Sequence, residues 1–101
     1  MNAWYFDKQI PDELHGAKDY IQRAIEIRPM HAAWAKDFVE MSSAELEHAT
    51  RLYKMYQEYY AKMAETYKEV PEYIEESYKK ISEEFIKCSV EIKHMHDMFK
   101  Q

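Results

Sequence analysis

The sequence predicts an all-α protein of three antiparallel helices, about 10–28, 30–68 and 72–99, in one domain spanning 1–101. Gly occurs once and Pro three times in 101 residues, so the chain has few places to turn. Hydrophobic residues make up 47% and charged residues 33%, a balance suited to a folded chain. Between the prolines, apolar residues recur at helical rather than strand spacing.

Taken in order, residues 1–9 (MNAWYFDKQ) are non-periodic, and Trp4, Tyr5 and Phe6 read as a segment docked on apolar surface. Pro11, Asp12 and Glu13 mark a helix start, with proline in the first turn and acids near the positive end of the dipole. Ile10, Leu14, Ala17, Ile21, Ala24 and Ile25 supply its apolar face, and Pro29 ends it near Arg28. Residues 30–68 contain neither Pro nor Gly and predict one long helix. "SSAE" at 42–45 also fits a capping box, which would break that helix near Ser42 and Ser43. Pro71 marks the second turn before the third helix. Short connections make neighbouring helices antiparallel.

The formal charge is −5, so no basic field supports nucleic-acid binding. No signal peptide is visible, and no apolar run approaches the length of a membrane span. Cys88 is the only cysteine, which excludes an intrachain disulfide and makes a cytoplasmic setting the expectation.

Two polar residues on the second helix stand out. With Glu45 at zero, Trp34, Phe38, Met41, Leu52, Tyr56, Tyr59 and Met63 fall within roughly 40° and His48 about 60° away. Glu45 therefore lies near the centre of the apolar stripe. On the first helix Gly16, Ala17, Tyr20, Ala24 and Ile27 lie within about 60° of Glu13, a small-sided face with room for a non-protein group. Glu13 and Glu45 are equally distant from Pro29 along the chain, so an antiparallel pair sets them side by side with His48 close by. Two crowded carboxylates repel, and an unpaired buried charge is costly. A bound cation removes both problems, and Glu oxygens with an imidazole suit iron, manganese or zinc. The plain alternative makes Glu45 part of the capping box and His48 a satisfied core histidine. A second ExxH, Glu91 and His94, falls outside the apolar face of the third helix and reads as a solvated pair. His94 and His96 could hold adventitious surface metal. His15 and His31 have no partner that spacing identifies.

With Glu13 in "DELHGAKDYIQRAIE" and Glu45 and His48 in "SSAELEHATRLYKM", residues 10–60 resemble the ferritin-like superfamily of di-iron carboxylate proteins. In ferritin-like and rubrerythrin-like domains one helix gives a Glu and the next gives ExxH, twice per four-helix bundle. This chain has one such pair and is similar to the encapsulated ferritins, where a short chain supplies half a site. The resemblance implies a homodimer, or a higher homo-oligomer, with two irons per dimer held by Glu13, Glu45 and His48 of each chain. It also implies a catalytic role for Tyr20, which matches the Tyr near iron in such sites. The implied activity is oxidation of iron(II) by dioxygen or peroxide, in the cytoplasm or inside a protein compartment, with no nucleic-acid or membrane partner. Two features depart from the family. The tyrosine-rich end of the second helix (Tyr53, Tyr56, Tyr59, Tyr60, Tyr67) has no counterpart in it, and "HMHDMFKQ" lacks the apolar docking peptide of encapsulated cargo. The competing reading is a non-catalytic helical interaction or assembly module with the same fold.

Overall fold

The computed structural model describes the backbone of residues 3–101 and the side chains of residues 5–101. Three helices, α1 (Ala3–Ile27), α2 (Ala32–Tyr67) and α3 (Glu72–Lys100), account for nearly all of it, with no strand among the described residues. The second and third helices lie within a residue or two of their expected bounds. The first starts at Ala3 instead of near residue 10, and Pro11 sits inside it. A proline there has no N–H to donate and crowds the carbonyl four residues back. The helix continues because both sides of Pro11 are anchored. Phe6 and Ile10 precede it and Leu14 follows it, all buried in the core. Phe6 stacks on Tyr56 with ring centroids 4.7 Å apart. The aromatic segment is thus docked as expected at Tyr5 and Phe6, but as helix; the Trp4 side chain lies outside the described residues.

Caps set the remaining ends. His31 Nδ1 accepts the Trp34 N–H at 3.2 Å and starts α2. Lys68 ends it in the left-handed region, φ 60°, without a glycine. Pro71 precedes α3, which has Glu72 and Glu75 in its first turn and Lys100 in its last, complementing the dipole. No break occurs at Ser42 and Ser43. The Ser42 hydroxyl is directed across the bundle, donating to Ala17 O at 2.6 Å and accepting from His96 Nε2 at 2.9 Å. One serine therefore joins α1, α2 and α3. With its proton given to Ala17, Ser42 requires the Nε2–H tautomer of His96. Burial, with Lys100 nearby, lowers the pKa of that imidazole.

α1 packs along both other helices, which touch each other far less. Ile10, Leu14, Ala17, Ile21 and Ala24 repeat at alternating spacings of four and three, a coiled-coil seam. Lys18 pairs with Glu91 at 3.1 Å, His15 meets Glu84 at 3.4 Å, and the Arg28 guanidinium donates to Phe99 O; together these fasten α3 to α1.

The buried ridge of α2 is Ala35, Ser42, Ala49 and Tyr56, one residue every seven. It is displaced by about 60° from the stripe centred on Glu45, because only α1 and α3 cover this helix. Glu45 thus lies on the flank of the face buried within the chain, not at its centre. On that flank Trp34 (55%), Met41 (47%) and Met55 (49%) are exposed. The molecule measures 55 × 20 × 16 Å, and its long axis matches the ~54 Å of a helix the length of α2. Its radius of gyration, 16.2 Å, exceeds the roughly 13 Å of a compact chain this size. Its accessible surface, 7050 Å², exceeds the roughly 6,100 Å² expected for its mass. Among the described residues, no helix is long and apolar enough to cross a membrane.

Candidate metal centre

The α1–α2 hairpin brings Glu13, Glu45 and His48 together. One oxygen or ring nitrogen from each lies within 4.8 Å of the other two. The turn at Pro29 is short, so residues equidistant from it arrive at one level. The ExxH spacing then places His48 one turn above Glu45, on the same side of α2.

The two carboxylates differ in surroundings. The Glu13 side chain is 20% exposed, and its Oε2 is buried with no hydrogen-bond partner among the described residues. His48 Nδ1 approaches that oxygen at 3.6 Å, too far for a hydrogen bond, while its ring is 56% exposed on the open flank. Glu45 packs against Gly16, where a Cβ would stand 2.9 Å from Glu45 Oε2. Any larger residue at position 16 would push the carboxylate aside. Gly16, Asp19, Tyr20, Arg23 and Glu45 line a cleft of about 240 Å³ beside the cluster. The Tyr20 ring stacks on Phe38 with centroids 6.1 Å apart.

The electrostatics follow from the crowding. The proton of Glu45 is stabilised first by hydrogen bonding to Glu13, then by burial and the Glu13 charge. His48 opposes these weakly, and the Glu45 carboxyl is pushed up to about 7. Because the folded value lies above the unfolded one, the native apoprotein holds the extra proton between about pH 4.5 and 7. Its stability should therefore fall as pH rises through that window. After solvent screening the loss expected from this pair is about 1 kcal/mol. Urea melts at pH 5 and pH 8 measure it, and Glu45→Gln should flatten the difference.

A buried carboxylate oxygen without a partner among the described residues, a neighbouring carboxyl that keeps its proton up to about pH 7 and an adjacent imidazole together fit a divalent cation. A cation would replace that proton and satisfy the orphaned oxygen. Three ligands from one chain leave the rest of the coordination sphere open.

Other sequence-level expectations fare differently. His94 is exposed as expected, but Glu91 is half-buried and paired with Lys18, so the two are not a solvated pair. His96 turns inward to Ser42 and cannot join His94 in surface metal binding. His31 caps α2 and stacks on Trp34 at 3.9 Å. The Ser42–His96 link escapes a sequence reading that treats each serine as a cap, although His96 follows Ile92 by one turn on the buried face of α3. Comparison with protein-family models, with curated proteins and with solved structures finds no match.

Proposed function

We propose that this chain is a ferritin-like di-iron protein that oxidises iron(II) at a centre shared across a homodimer. The observation that carries the reading is the buried, unpartnered Glu13 Oε2 facing Glu45 and His48. Glu13, Glu45 and His48 of each chain would hold the metal, giving four carboxylates and two imidazoles per dimer. Manganese or zinc suits the same ligands. Iron(II) is the substrate: two ions give up one electron each, and the two electrons reduce dioxygen and two protons to hydrogen peroxide, or hydrogen peroxide and two protons to two waters.

The chain's own residues prepare this. Glu45 releases its proton as the ligands engage. Gly16 leaves the space its carboxylate occupies, and Tyr20 borders the adjoining cleft, placed to donate a hydrogen bond or an electron. The dimer is supported by the exposed flank around the site and by the excess surface, which is of the same order as the ~800 Å² each partner buries in a standard interface. The setting is cytoplasmic or inside a protein compartment. The exposed Trp34, Met41 and Met55 equally suit the second reading, a metal-free helical assembly module.

Anaerobic iron(II) loading followed by an oxygen pulse, read by the absorbance of ferric product, tests the proposal. Wild type should oxidise iron faster than buffer alone, and His48→Ala should fall to the buffer rate. A wild type no faster than buffer overturns the activity.

A further inference from the structure

The end of the bundle away from the Pro29 turn holds an aromatic assembly for which the metal centre has no use. Six of the nine tyrosines, Tyr5, Tyr53, Tyr56, Tyr59, Tyr60 and Tyr78, join Phe6 and Phe85 in continuous ring contact. Tyr60 stacks on Tyr78 at 4.1 Å and Tyr56 meets Tyr78 edge-on at 5.2 Å. Tyr53 lies 6.5 Å from Tyr78, and Tyr59 lies 6.3 Å from Tyr56.

Filling this space would need only phenylalanine. The hydroxyls carry the further information, because two of them lead to carboxylates. Tyr60 donates its O–H to Glu75 Oε1 at 2.7 Å. Tyr56, fully buried, donates to Ser77 Oγ at 2.7 Å, and Ser77 in turn donates to the Asp7 carboxylate. Ser77 has one proton and gives it to Asp7, so Tyr56 must be the donor in its own bond. Both phenols thus have a proton acceptor already in place. Loss of the proton alone is disfavoured: the Glu75 hydrogen bond raises the Tyr60 pKa, and burial raises those of Tyr56 and Tyr78. An electron and a proton leaving together avoid both the phenolate and the radical cation.

We propose that this cluster is a redox site that yields one electron to a strong one-electron oxidant of peroxide origin and holds the resulting tyrosyl radical. The phenol O–H bond of Tyr60 or Tyr56 breaks, and the electron reduces the oxidant. The proton passes to Glu75 directly, or through Ser77 to Asp7, and the neutral radical stays on the phenol that lost it, packed among the other rings. Iron(II) meeting peroxide is a source of such oxidants, and Tyr56 follows His48 along α2 by only ~12 Å of helix rise. The cluster would intercept oxidising equivalents before they reach Trp34 or the exposed methionines.

The test uses the full metal-free chain and a photogenerated ruthenium(III) tris-bipyridine oxidant, with the radical freeze-trapped and read by electron paramagnetic resonance. Wild type should give a tyrosyl signal that persists in a Tyr67→Phe/Tyr73→Phe variant, which removes two exposed phenols outside the cluster. An Asp7→Asn/Glu75→Gln variant keeps every ring and should lose yield roughly tenfold, the factor expected on removing a charge-assisted bond to the departing proton. Equal circular-dichroism melts establish that the variants are folded. No signal in wild type, a signal that vanishes with Tyr67 and Tyr73, or a yield indifferent to the two carboxylates overturns the proposal. No metal takes part, so failure here leaves the metal centre standing, and the reverse.

Discussion

Glu45→Ala should abolish iron binding while leaving the apoprotein at least as stable as wild type. In the native chain this carboxylate is one of three potential ligands, and its oxygen rests against Gly16 beside the unpartnered Glu13 Oε2. Removing it takes away a ligand outright, so affinity should fall by more than the ~100-fold typical of losing an outer-shell contact. It also removes a carboxyl that hydrogen bonding to Glu13, burial and the Glu13 charge together push up to about 7, so the apoprotein should gain about 1 kcal/mol at pH 8. Metal content after anaerobic loading and a urea melt of the metal-free form check the two halves. A residue needed for packing would move stability the other way. The paired outcome therefore separates a binding carboxylate from a structural one.

Tyr56→Ala should come close to unfolding the protein. The side chain is fully buried and stacks on Phe6, contacts Tyr78 edge-on and hydrogen-bonds Ser77, joining all three helices at one point. Truncating a buried aromatic typically costs about 3–5 kcal/mol, a large share of the roughly 5–15 kcal/mol that holds a small domain together. The melting temperature should drop by roughly 20 °C, at about 4–8 °C per kcal/mol for a domain this size. Tyr56→Phe keeps the ring and should cost only about 1 kcal/mol, the net worth of one hydrogen bond. A small effect of the alanine variant in thermal melts would mean that the tyrosine end of the bundle contributes little to the fold.

Much of this architecture is legible in the chain. Pro29 and Pro71 interrupt the helical periodicity where the structure turns, since neither can donate inside a helix. The Glu13–Glu45 level follows from equal offsets about a short turn. Pro11 misleads because a proline in a first turn and a proline tolerated between buried anchors look alike locally. What decides between them is the docking of Phe6 on Tyr56, about fifty residues away in sequence. Ser42 is ambiguous for a similar reason, as a hydroxyl caps its own helix or bonds a neighbour's carbonyl with equal ease. Periodicity locates the apolar stripe of α2 but not which part of it the chain itself covers. That is why Glu45 lies at the flank of the buried ridge while remaining at the centre of the stripe. A face wider than its intrachain cover is what a helix meeting a further partner requires.

The most direct test of a shared centre is an anaerobic iron(II) titration in which bound metal and molecular mass are measured on the same sample. A shared centre requires a dimer carrying one iron per chain, with binding that saturates at two per dimer. A monomer that takes up no iron would contradict it and leave Glu13, Glu45 and His48 as polar residues on the face of a helical assembly module.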